Sequence, residues 1–405
     1  MSDSKKNAPK RRFEEFSNAN AWEQRELGEV VQITMGQSPN GTNYTENPND
    51  YILVQGNADM KNGQVVPRIW TKQITKTAAI GDIILSVRAP VGDVGKTNYN
   101  VVLGRGVAGI KGDEFIYQVL FKMRLENYWA KYSTGSTFES INSNDLKEAK
   151  MFVPKELEKK EIGIFFKQLD NTIALHQRKL EKIKALKTAY LSEMFPAEGE
   201  SKPKRRFAGF TDDWEQRKLG DLMNITSVKR IHKSDWTDKG VRFLRARDIV
   251  SASKGKNPSE YLYISKKLYD EHSKISGKVG VGDLLVTGVG SIGIPMLIKH
   301  EEPLYFKDGN IIWFQNKKNI DGGFFYYSFI SYSIQKFIRD SAGIGTVGTY
   351  TIDSGGKTPI YLPNKKEQQK IGTFFQQLDD TIALHQRKLQ KLQNIKKAYL
   401  NEMFI

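Results

Sequence analysis

One stretch of 34 residues occurs twice in this chain, and the repeat limits the folds that the chain can adopt. Residues 162–195 and 371–404 align without a gap and are identical at 24 of 34 positions, including the run TIALHQRKL. Chance does not produce such a match, so the chain contains an internal duplication. Any architecture must therefore provide two equivalent places for this segment.

Each copy has the apolar spacing of a long helix that packs against a partner helix. Alternating steps of three and four residues define a heptad seam, and the second copy keeps the seam of the first. The predicted seam residues are Leu169, Ile173, His176, Leu180, Ile183, Leu378, Ile382, His385, Leu389 and Leu392. The alternative is a helix packed inside a globular core. A core helix rarely runs about 40 residues with lysine and glutamine on its outer face, so two paired helices are favoured.

The duplication also includes the start of each half of the chain. A Lys-Arg-Arg-Phe segment precedes a Trp-Glu-Gln-Arg-x-Leu-Gly segment at Trp22, and both return before and at Trp214. The two tryptophans are 192 residues apart and the two helices 209 apart, so the second intervening region is longer by 209 − 192 = 17 residues. Residues 80–86 and 281–286 share a Gly-Asp turn followed by apolar residues, which predicts a buried strand in both regions.

These patterns predict an α+β fold with two domains, each followed by a long helix. The predicted segments are a basic arm (1–20), a first domain (21–152), a first helix (153–196), a linker (197–205), a second domain (206–361) and a second helix (362–405). Within the domains, apolar spacing predicts helices near 115–131 and 324–339. We expect pseudo-two-fold symmetry, which would pair the long helices as an antiparallel coiled coil with His176 and His385 near its midpoint.

The composition points to a polyanionic partner. The chain has 62 Lys and Arg against 46 Asp and Glu, a net charge of +16 and an isoelectric point near 9.5. Nucleic acid or an anionic membrane surface would suit this excess. No apolar run approaches the roughly 20 residues of a membrane span, and the polar N-terminus lacks the apolar core of a secretory signal. The chain has no cysteine, which excludes disulfides and thiolate zinc sites, and we expect a cytoplasmic protein without a membrane partner.

Several motifs resemble catalytic or nucleotide-binding sites but lack residues or flanking elements that those sites require. Residues 95–97 and 356–358 read Gly-Lys-Thr, but Pro90 and Thr351 stand where a P-loop needs its first glycine. Residues 343–348 fit G-x-G-x-x-G without the flanking strand and helix that a dinucleotide site requires, so a glycine loop near a DNA backbone is the better interpretation. No two prolines are adjacent, which removes the usual amino-methyltransferase tetrapeptide, and the five histidines lack metal-ligand spacing.

Both domains carry the polar and basic loops expected of a DNA-binding protein. Arginine can bind the guanine edge and Asn or Gln the adenine edge by two hydrogen bonds, while Lys, Ser and Thr suit phosphates. The candidates in the first domain are Gln37, Asn57, Arg68, Arg88, Lys96, Arg105, Ser136, Thr137 and Asn142. Those in the second are Lys229, Arg230, Lys233, Arg245, Arg247, Lys254, Lys307, Asn310, Thr346 and Thr349. For each one alone, a solvated surface residue is the competing interpretation.

Two similar helices and two diverged domains suggest a common scaffold that carries two different DNA readers. At the doubled W-E-Q-R-x-L-G segment, the doubled Gly-Asp strand and the doubled F-F-x-Q-L-D-x-T-I-A-L-H-Q-R-K-L helix, the chain resembles specificity subunits of type I restriction–modification systems over essentially its full length. The resemblance implies two target-recognition domains, each reading one half of a split, asymmetric double-stranded DNA sequence. It also implies that the two helices set the gap between the halves and bind two modification subunits.

The resemblance further implies that the chemistry belongs to other chains. S-adenosylmethionine would be used by the modification subunits, and ATP and Mg²⁺ by the usual two restriction subunits, so this chain would bind no cofactor or metal and carry no catalytic residue. Two alternatives stay open at this stage. One is a self-contained nuclease or methyltransferase with an unrecognised active site, and the other is a structural coiled-coil protein whose charge serves solubility.

Overall fold

The structure is a computed structural model that describes residues 7–132, 140–342 and 348–405. The chain divides into two compact units, of which unit 1 contains residues 1–178 and 385–405 and unit 2 contains residues 179–384. Each unit therefore includes one domain, the first part of that domain's own long helix and the last part of the other long helix.

Unit 1 is built mainly from short strands, as its glycine turns and alternating apolar residues suggest. The strands are β1 Glu23–Glu26, β2 Gln32–Met35, β3 Tyr44–Thr45, β4 Tyr51–Val54, β5 Met60–Lys61, β6 Gln64–Val65, β7 Ile69–Thr71, β8 Lys76–Ala78, β9 Ile83–Ser86, β10 Val94–Lys96, β11 Val101–Leu103, β12 Val107–Lys111 and β13 Lys150–Val153. The α-helices are α1 Leu27–Val30, α2 Glu114–Leu125, α3 Ser143–Lys147 and α4 Glu156–Glu193, and α4 continues into unit 2. Short 3₁₀ helices lie at Glu14–Phe16, Gly41–Asn43, Asn57–Asp59 and Tyr128–Tyr132.

The strands of unit 1 form two main sheets and one small ribbon. The strand orders are β2-β12-β9-β10-β6-β5 and β3-β7-β4-β11-β8, and the ribbon pairs β1 with β13 just before α4. The predicted Gly-Asp strand is confirmed as β9, which is buried along its whole length. Gly81 supplies the turn before it with a φ of +92°, a left-handed conformation that favours glycine.

Unit 2 repeats this frame with fewer strands. Its strands are β14 Glu215–Lys218, β15 Asn224–Thr226, β16 Trp236–Thr237, β17 Val241–Leu244, β18 Leu262–Ile264, β19 Leu284–Thr287, β20 Pro295–Leu297, β21 Leu304–Phe306, β22 Ile311–Gln315 and β23 Pro359–Leu362. Its helices are α5 Leu219–Leu222, α6 Ala246–Ser253, α7 Lys266–Ser276, α8 Gly322–Phe329, α9 Tyr332–Ser341, α10 Ile352–Lys357 and α11 Lys365–Met403, with a 3₁₀ turn at Lys233–Asp235. The last part of α11, from His385 onward, lies in unit 1.

The sheets of unit 2 correspond to those of unit 1. The strand orders are β15-β22-β19-β20 and β16-β18-β17-β21, and β14 pairs with β23 as β1 pairs with β13. The second Gly-Asp strand is confirmed as β19, which is also fully buried, after Gly282 with a φ of +95°. The parallel pairing of β17 with β21 repeats that of β4 with β11. The two diverged domains therefore share one framework.

The helices predicted within the domains are shorter than expected. The one predicted near 115–131 ends as an α-helix at Leu125 and is followed by the 3₁₀ turn Tyr128–Tyr132. The single helix predicted near 324–339 is wrong, because the structure has α8 and α9 there. The helix is interrupted at Ser331, whose backbone is extended (ψ 158°), and α9 begins after it in a new direction. Apolar spacing runs through the break because both helices pack against the same core.

An aromatic cluster holds the duplicated segments together in each unit. In unit 1, Trp22 contacts Phe115 of α2 with ring centroids 5.7 Å apart, and Phe115 stacks on Phe404 at 5.1 Å. Unit 2 places Trp214 5.6 Å from Phe324, which lies 5.7 Å from Phe195. Each core therefore needs the tryptophan at the domain's start and the phenylalanine at the end of the other domain's helix. This packing explains why the two copies have kept these residues.

The long helices run antiparallel in both units. In unit 1, Phe165 meets Tyr399 with ring centroids 5.1 Å apart, Asp170 meets Lys396 and His176 meets His385, so positions that rise along α4 pair with positions that fall along α11.

In unit 2, Lys187 meets Asp379 and Tyr190 meets Phe374 in the same sense. The predicted α+β fold with an antiparallel helix pair is confirmed, and equivalent contacts recur in the two units as the pseudo-symmetry requires. No helix in the described part of the chain is both long and apolar enough to cross a membrane.

Candidate nucleic-acid interface

A polar cleft lies in unit 1 where several strands end together. Residues 37–38 follow β2, 55–57 follow β4, 86–88 begin at the last residue of β9, and 105–106 lie between β11 and β12; we call this the strand-end cleft. Its volume is about 260 Å³. The lining residues are Ser38, Gln55, Gly56, Asn57, Ser86, Arg88, Ala89, Arg105 and Gly106. The predicted candidates Asn57, Arg88 and Arg105 are thus brought together from three distant parts of the sequence, and Gln37 lies beside them.

Backbone hydrogen bonds fix the shape of the strand-end cleft. The Val87 amide donates to the Gly106 carbonyl at 2.9 Å, and the Arg105 amide donates to the Ser38 hydroxyl at 3.2 Å. A Cβ on Gly106 would lie 2.0 Å from the Gln55 carbonyl oxygen, so only glycine permits this approach. These contacts therefore define the backbone geometry at the base of the cleft.

Two arginines present exposed guanidinium groups at this cleft. Arg88 and Arg105 are exposed, and within the described ranges 7–132, 140–342 and 348–405 neither side chain makes an ion pair. Gln55 is oriented by a 2.9 Å hydrogen bond from its Nε2 to the Tyr44 hydroxyl. The set combines arginines suited to guanine or phosphate with amides suited to adenine.

Other candidates of the first domain take part in contacts within the protein. Arg68 donates from Nε to Asp59 at 2.8 Å, and the buried Asp59 also accepts from the Gln55 amide, so Arg68 supports the loop that carries Asn57. Its side chain is still half exposed.

Lys96 lies away from the strand-end cleft. Its ammonium is 2.6 Å from Glu114 and faces the Tyr117 ring at 5.2 Å. Asn142 caps α3, with its side-chain oxygen accepting from the amides of Asn144 and Asp145. For these two residues, DNA contact stays a prediction that their present contacts do not favour.

Unit 2 forms the same edge from different side chains. The Gly288 amide donates to Asn310 as Val87 does to Gly106, and the Lys307 amide donates to Leu244 as Gly104 does to Val54. We call residues 229–230, 245–247, 287–289 and 307–310 the strand-end surface of unit 2. Lys229 and Arg230 lie at this surface and are exposed. Lys233 and Lys254 are exposed as well.

Several cations at the strand-end surface are already paired with carboxylates. Arg245 and Arg247 both donate to Glu260, at 3.2 and 2.9 Å, and Arg245 also contacts the buried Asp248. Lys307 contacts Asp308 at 2.9 Å, and Arg230 lies 3.9 Å from the same carboxylate. The two domains therefore differ in charge pattern although their backbones correspond.

One further segment returns to the same edge in each unit. Arg88 bridges to Ser140 and Val289 to Thr349, and Ser140 and Thr349 are 209 residues apart, the offset of the long helices. Thr349 is thus at the strand-end surface. Ser136, Thr137 and Thr346 lie outside the described residues, as does most of the glycine loop 343–348.

The structure also reveals charged residues at the helix pair that the sequence analysis had not singled out. Lys396 lies 2.7 Å from Asp170 inside unit 1, and Gln118 of α2 donates to the same carboxylate at 2.8 Å. Burial lowers the pKa of Lys396, against the opposite effect of Asp170. Asp170 of α4 therefore connects its own long helix with the partner helix α11 and with α2 of the domain in the same unit.

Unit 2 has the equivalent set, in which Lys187 contacts Asp379 and the Tyr327 hydroxyl donates to that carboxylate at 2.7 Å. Burial, followed by the contact with Asp379, raises the pKa of Tyr327. The doubled Gln-Leu-Asp segment and the 209-residue offset were the signals that could have identified both sets.

Arginines of the predicted arm (1–20) and of the equivalent Lys-Arg-Arg segment (204–206), which we call the two basic arms, make contacts within the protein. Arg12 makes two hydrogen bonds to Glu158 near the start of α4, and Arg206 makes two to Glu367 near the start of α11. The preceding arginine reaches the end of the other long helix, since Arg11 contacts Glu402 and Arg205 contacts Glu193. Each arm therefore joins the two helices within its unit.

The predicted seam residues all lie in partly or fully buried positions. Leu180 and Leu389 are buried, and the other seam residues are intermediate. His176 and His385 face each other with Nδ1 atoms 3.3 Å apart. In the described part of the chain, no group of three or more His, Asp or Glu could hold a metal ion.

Comparison with known proteins gives a consistent result. The family model described as "Type I restriction modification DNA specificity domain" matches residues 20–185 and 211–394, which together are most of the chain. A protein of Methanocaldococcus jannaschii, whose assignment as the type I restriction enzyme MjaX specificity subunit is itself provisional, is 32% identical over 176 residues. That match covers 41% of this chain and 40% of the relative, so less than half the relative's length is matched.

Longer matches agree with this one. The MjaVIII specificity subunit of the same organism is 23% identical over 298 residues, covering 70% of this chain and 68% of the relative. The crystal structure of the S subunit of a type I restriction-modification system from M. genitalium matches with a TM-score of 0.65 at 16% identity, covering 98% of this chain and 99% of that one. At this identity the structural match establishes the fold.

Proposed function

The chain belongs to the type I restriction–modification DNA specificity family, and we propose that its two recognition domains read the two halves of a split, asymmetric double-stranded DNA site. Unit 1 would read one half through the strand-end cleft, and unit 2 would read the other through its strand-end surface. Methyl transfer would belong to the modification subunits, and ATP-driven translocation and DNA cleavage to the restriction subunits.

The observation that carries the proposal is one backbone edge that occurs twice with different side chains. The hydrogen bond from Val87 to Gly106 recurs from Gly288 to Asn310, while the cleft arginine Arg88 is replaced by Val289. A shared frame keeps the loops in place, and different side chains present different donors and acceptors to the bases. Two domains of this kind suit a site whose halves differ.

The chemistry of the cleft favours direct contact with bases and phosphates. Arg88 and Arg105 can each make a bidentate hydrogen bond to guanine or bind a phosphate, and Asn57 can bind an adenine edge. At the strand-end surface, Lys229, Arg230 and Asn310 would make the corresponding contacts. Glu260 would orient Arg245 and Arg247 or accept a hydrogen bond from a cytosine amino group.

The test begins with mapping methylated positions in DNA from cells that carry the intact system. Replacing residues 222–361 with those of another specificity subunit is expected to change one half of the mapped site and leave the other half unchanged. A change in both halves would refute the assignment of one half-site to each domain.

Single substitutions then test the cleft in the complex with the modification subunits. Arg88→Ala and Arg105→Ala are expected to weaken specific binding by about 1–3 kcal/mol each and to relax the sequence of one half-site only. Lys111→Ala is the matched control, since it removes one exposed cation from the far end of β12, about 17 Å along the strand from the cleft residue Gly106 at 3.4 Å per residue. Equal effects of all three variants would indicate general charge attraction instead of base reading.

We further propose that the long helices set the gap and bind the modification subunits, which in turn would assemble with the restriction subunits. S-adenosylmethionine, ATP and Mg²⁺ would be used by those partners. The purified chain alone is expected to show no turnover with DNA and these cofactors, and turnover would contradict the division of labour. Inserting one heptad into both helices adds about 10.5 Å, which is expected to lengthen the gap by about three base pairs at 3.4 Å each.

A further inference from the structure

Two exposed isoleucines occupy equivalent positions beside the proposed DNA-reading edges. Ile74 is 53% exposed in unit 1 and Ile275 is 70% exposed in unit 2. They are 201 residues apart, the offset that also relates the first residues of the buried strands, Ile83 and Leu284. Single exposed apolar residues are common on protein surfaces, so exposure alone means little.

In each unit, the residue that follows the isoleucine makes a hydrogen bond that places the isoleucine at the strand ends. In unit 1, the Thr75 hydroxyl donates to the Gln37 carbonyl at 2.5 Å. In unit 2, the Lys229 amide donates to the Ser276 hydroxyl at 2.9 Å. Gln37 and Lys229 are themselves 192 residues apart, the offset of Trp22 and Trp214, so both partners correspond.

The two isoleucines reach the same place from different local structures. Ile74 lies in the loop between β7 and β8, whereas Ile275 lies in the last turn of α7. The backbone around them has therefore diverged, while the exposed branched side chain is the same. A structural role in packing does not explain this, because neither side chain is buried.

The surroundings of both isoleucines suit DNA. Ile74 is flanked in sequence by Lys72 and Lys76, and Ile275 by Lys274 and Lys278. Lysines on either side can bind phosphates, which would hold the isoleucine against the bases between them. Apolar side chains recognise thymine in the major groove through its 5-methyl group.

We propose that Ile74 and Ile275 are matching base-contact residues, one in each recognition domain, that pack against the 5-methyl group of a thymine. This inference rests on the proposed function, because it assumes that the strand-end edges face DNA. It adds an apolar contact to the hydrogen-bonding groups of the cleft. The chemical group that is recognised is a methyl group exposed in the major groove.

The absence of cysteine from the chain permits a direct test in the complex with its modification subunits. Ile74→Cys and Ile275→Cys each introduce the only thiol of this chain, and maleimide labelling reports whether it is accessible. DNA carrying the mapped site, at about 100 times its Kd, is expected to slow labelling up to about 100-fold by mass action. A duplex of equal length without the site is expected to protect far less.

Matched controls come from a second equivalent pair of exposed apolar residues. Ile80→Cys and Val281→Cys lie just before the first residues of β9 and β19, at the ends of these strands that are opposite the proposed DNA-reading edges. The side chains they replace are 65% and 43% exposed. Their labelling is expected to be unchanged by DNA. Thiols at 74 and 275 that label equally fast with and without the mapped site would overturn the inference.

A second measurement tests the thymine contact itself. Replacing each thymine of the mapped site by deoxyuridine removes one methyl group, and one position in each half-site is expected to lose about three- to fourfold in affinity. That loss should disappear in Ile74→Ala for one half-site and in Ile275→Ala for the other. If no thymine behaves in this way the inference fails, even where Arg88 and Arg105 variants behave as proposed. If the wild-type complex shows no preference for the mapped DNA, the proposed function itself fails.

Discussion

Lys396 is expected to be the seam cation whose loss most weakens unit 1. Its ammonium lies 2.7 Å from Asp170 and 4.0 Å from the centre of the Phe121 ring, and only 8% of its side chain is exposed. Lys396→Met keeps most of the side-chain volume but leaves the carboxylate with Gln118 as its remaining interhelical donor. The aspartate would then be a partly buried charge without a cation.

The size of the effect follows from how deeply the pair is buried. Removing one member of a buried ion pair costs about 3–5 kcal/mol, whereas an exposed pair contributes about 0–1 kcal/mol. Because Asp170 is 29% exposed and can recover part of its hydration, we expect about 2–3 kcal/mol for Lys396→Met. Lys187→Met should cost about 1–2 kcal/mol, since Lys187 and Asp379 are 19% and 33% exposed.

Hydrogen exchange on the full chain measures these changes locally, which matters because a chain of two units need not unfold in one step. Lys396→Met should lower the free energy of opening for α2 and for residues 385–403 of α11. Lys397→Met removes a neighbouring exposed cation and should change it by less than about 0.5 kcal/mol. If Lys396→Met and Lys397→Met gave equal exchange rates, the buried pair would not be holding the helices together.

Three further outcomes are expected, two from other residues and one from the titration of Lys396. Arg12→Met should cost about 3 kcal/mol in thermal or exchange measurements and Arg11→Met less than about 1, because the Arg12 pair is buried and the Arg11 pair is exposed. Gly106→Ala should cost about 1–3 kcal/mol and impair DNA reading by unit 1 in a methylation assay, since the new Cβ meets the Gln55 carbonyl. Burial lowers the pKa of Lys396 below its ordinary 10.5, so the folded state binds fewer protons than the unfolded state between the two pKa values. Stability should therefore rise with pH in that window, and Lys396→Met should lack the rise in pH-dependent urea titrations.

The duplication was sufficient to predict the helix pair and its direction. Two equivalent helices that pair about a pseudo-two-fold axis run in opposite directions, and the contacts of Asp170 with Lys396 and of Lys187 with Asp379 agree with this expectation. The Gly-Asp strands were predictable for the same reason. The break at Ser331 was not, because a helix of continuous apolar spacing and two helices on one core have the same pattern.

The candidate site was harder to predict, because the charge of a residue does not show whether the residue pairs with a carboxylate of the protein or with DNA. Lys96 and Arg245 were predicted to bind DNA, and the fold also brings Glu114 and Glu260 to them, which residue type alone could not indicate. The two basic arms present the same difficulty. Arg12 and Arg206 form ion pairs with carboxylates that are more than 140 residues away in sequence. Contacts between residues so far apart in sequence are set by the tertiary fold. Residue type and local spacing do not reveal them.

Comparing the two halves supplies the information that a single domain lacks. A residue kept in both halves and at least partly buried, such as Trp22 or Asp170, is explained by contacts with the shared scaffold. At one backbone position the exposed Arg88 of the first half is replaced by the half-buried Val289 of the second, which is the kind of difference that the proposed reading of two unlike half-sites requires. Ile74 and Ile275 fit neither class, because they are exposed and yet the same in both halves. A feature common to both half-sites would explain them, and an accessible methyl group is the simplest such feature that two different DNA sequences can share.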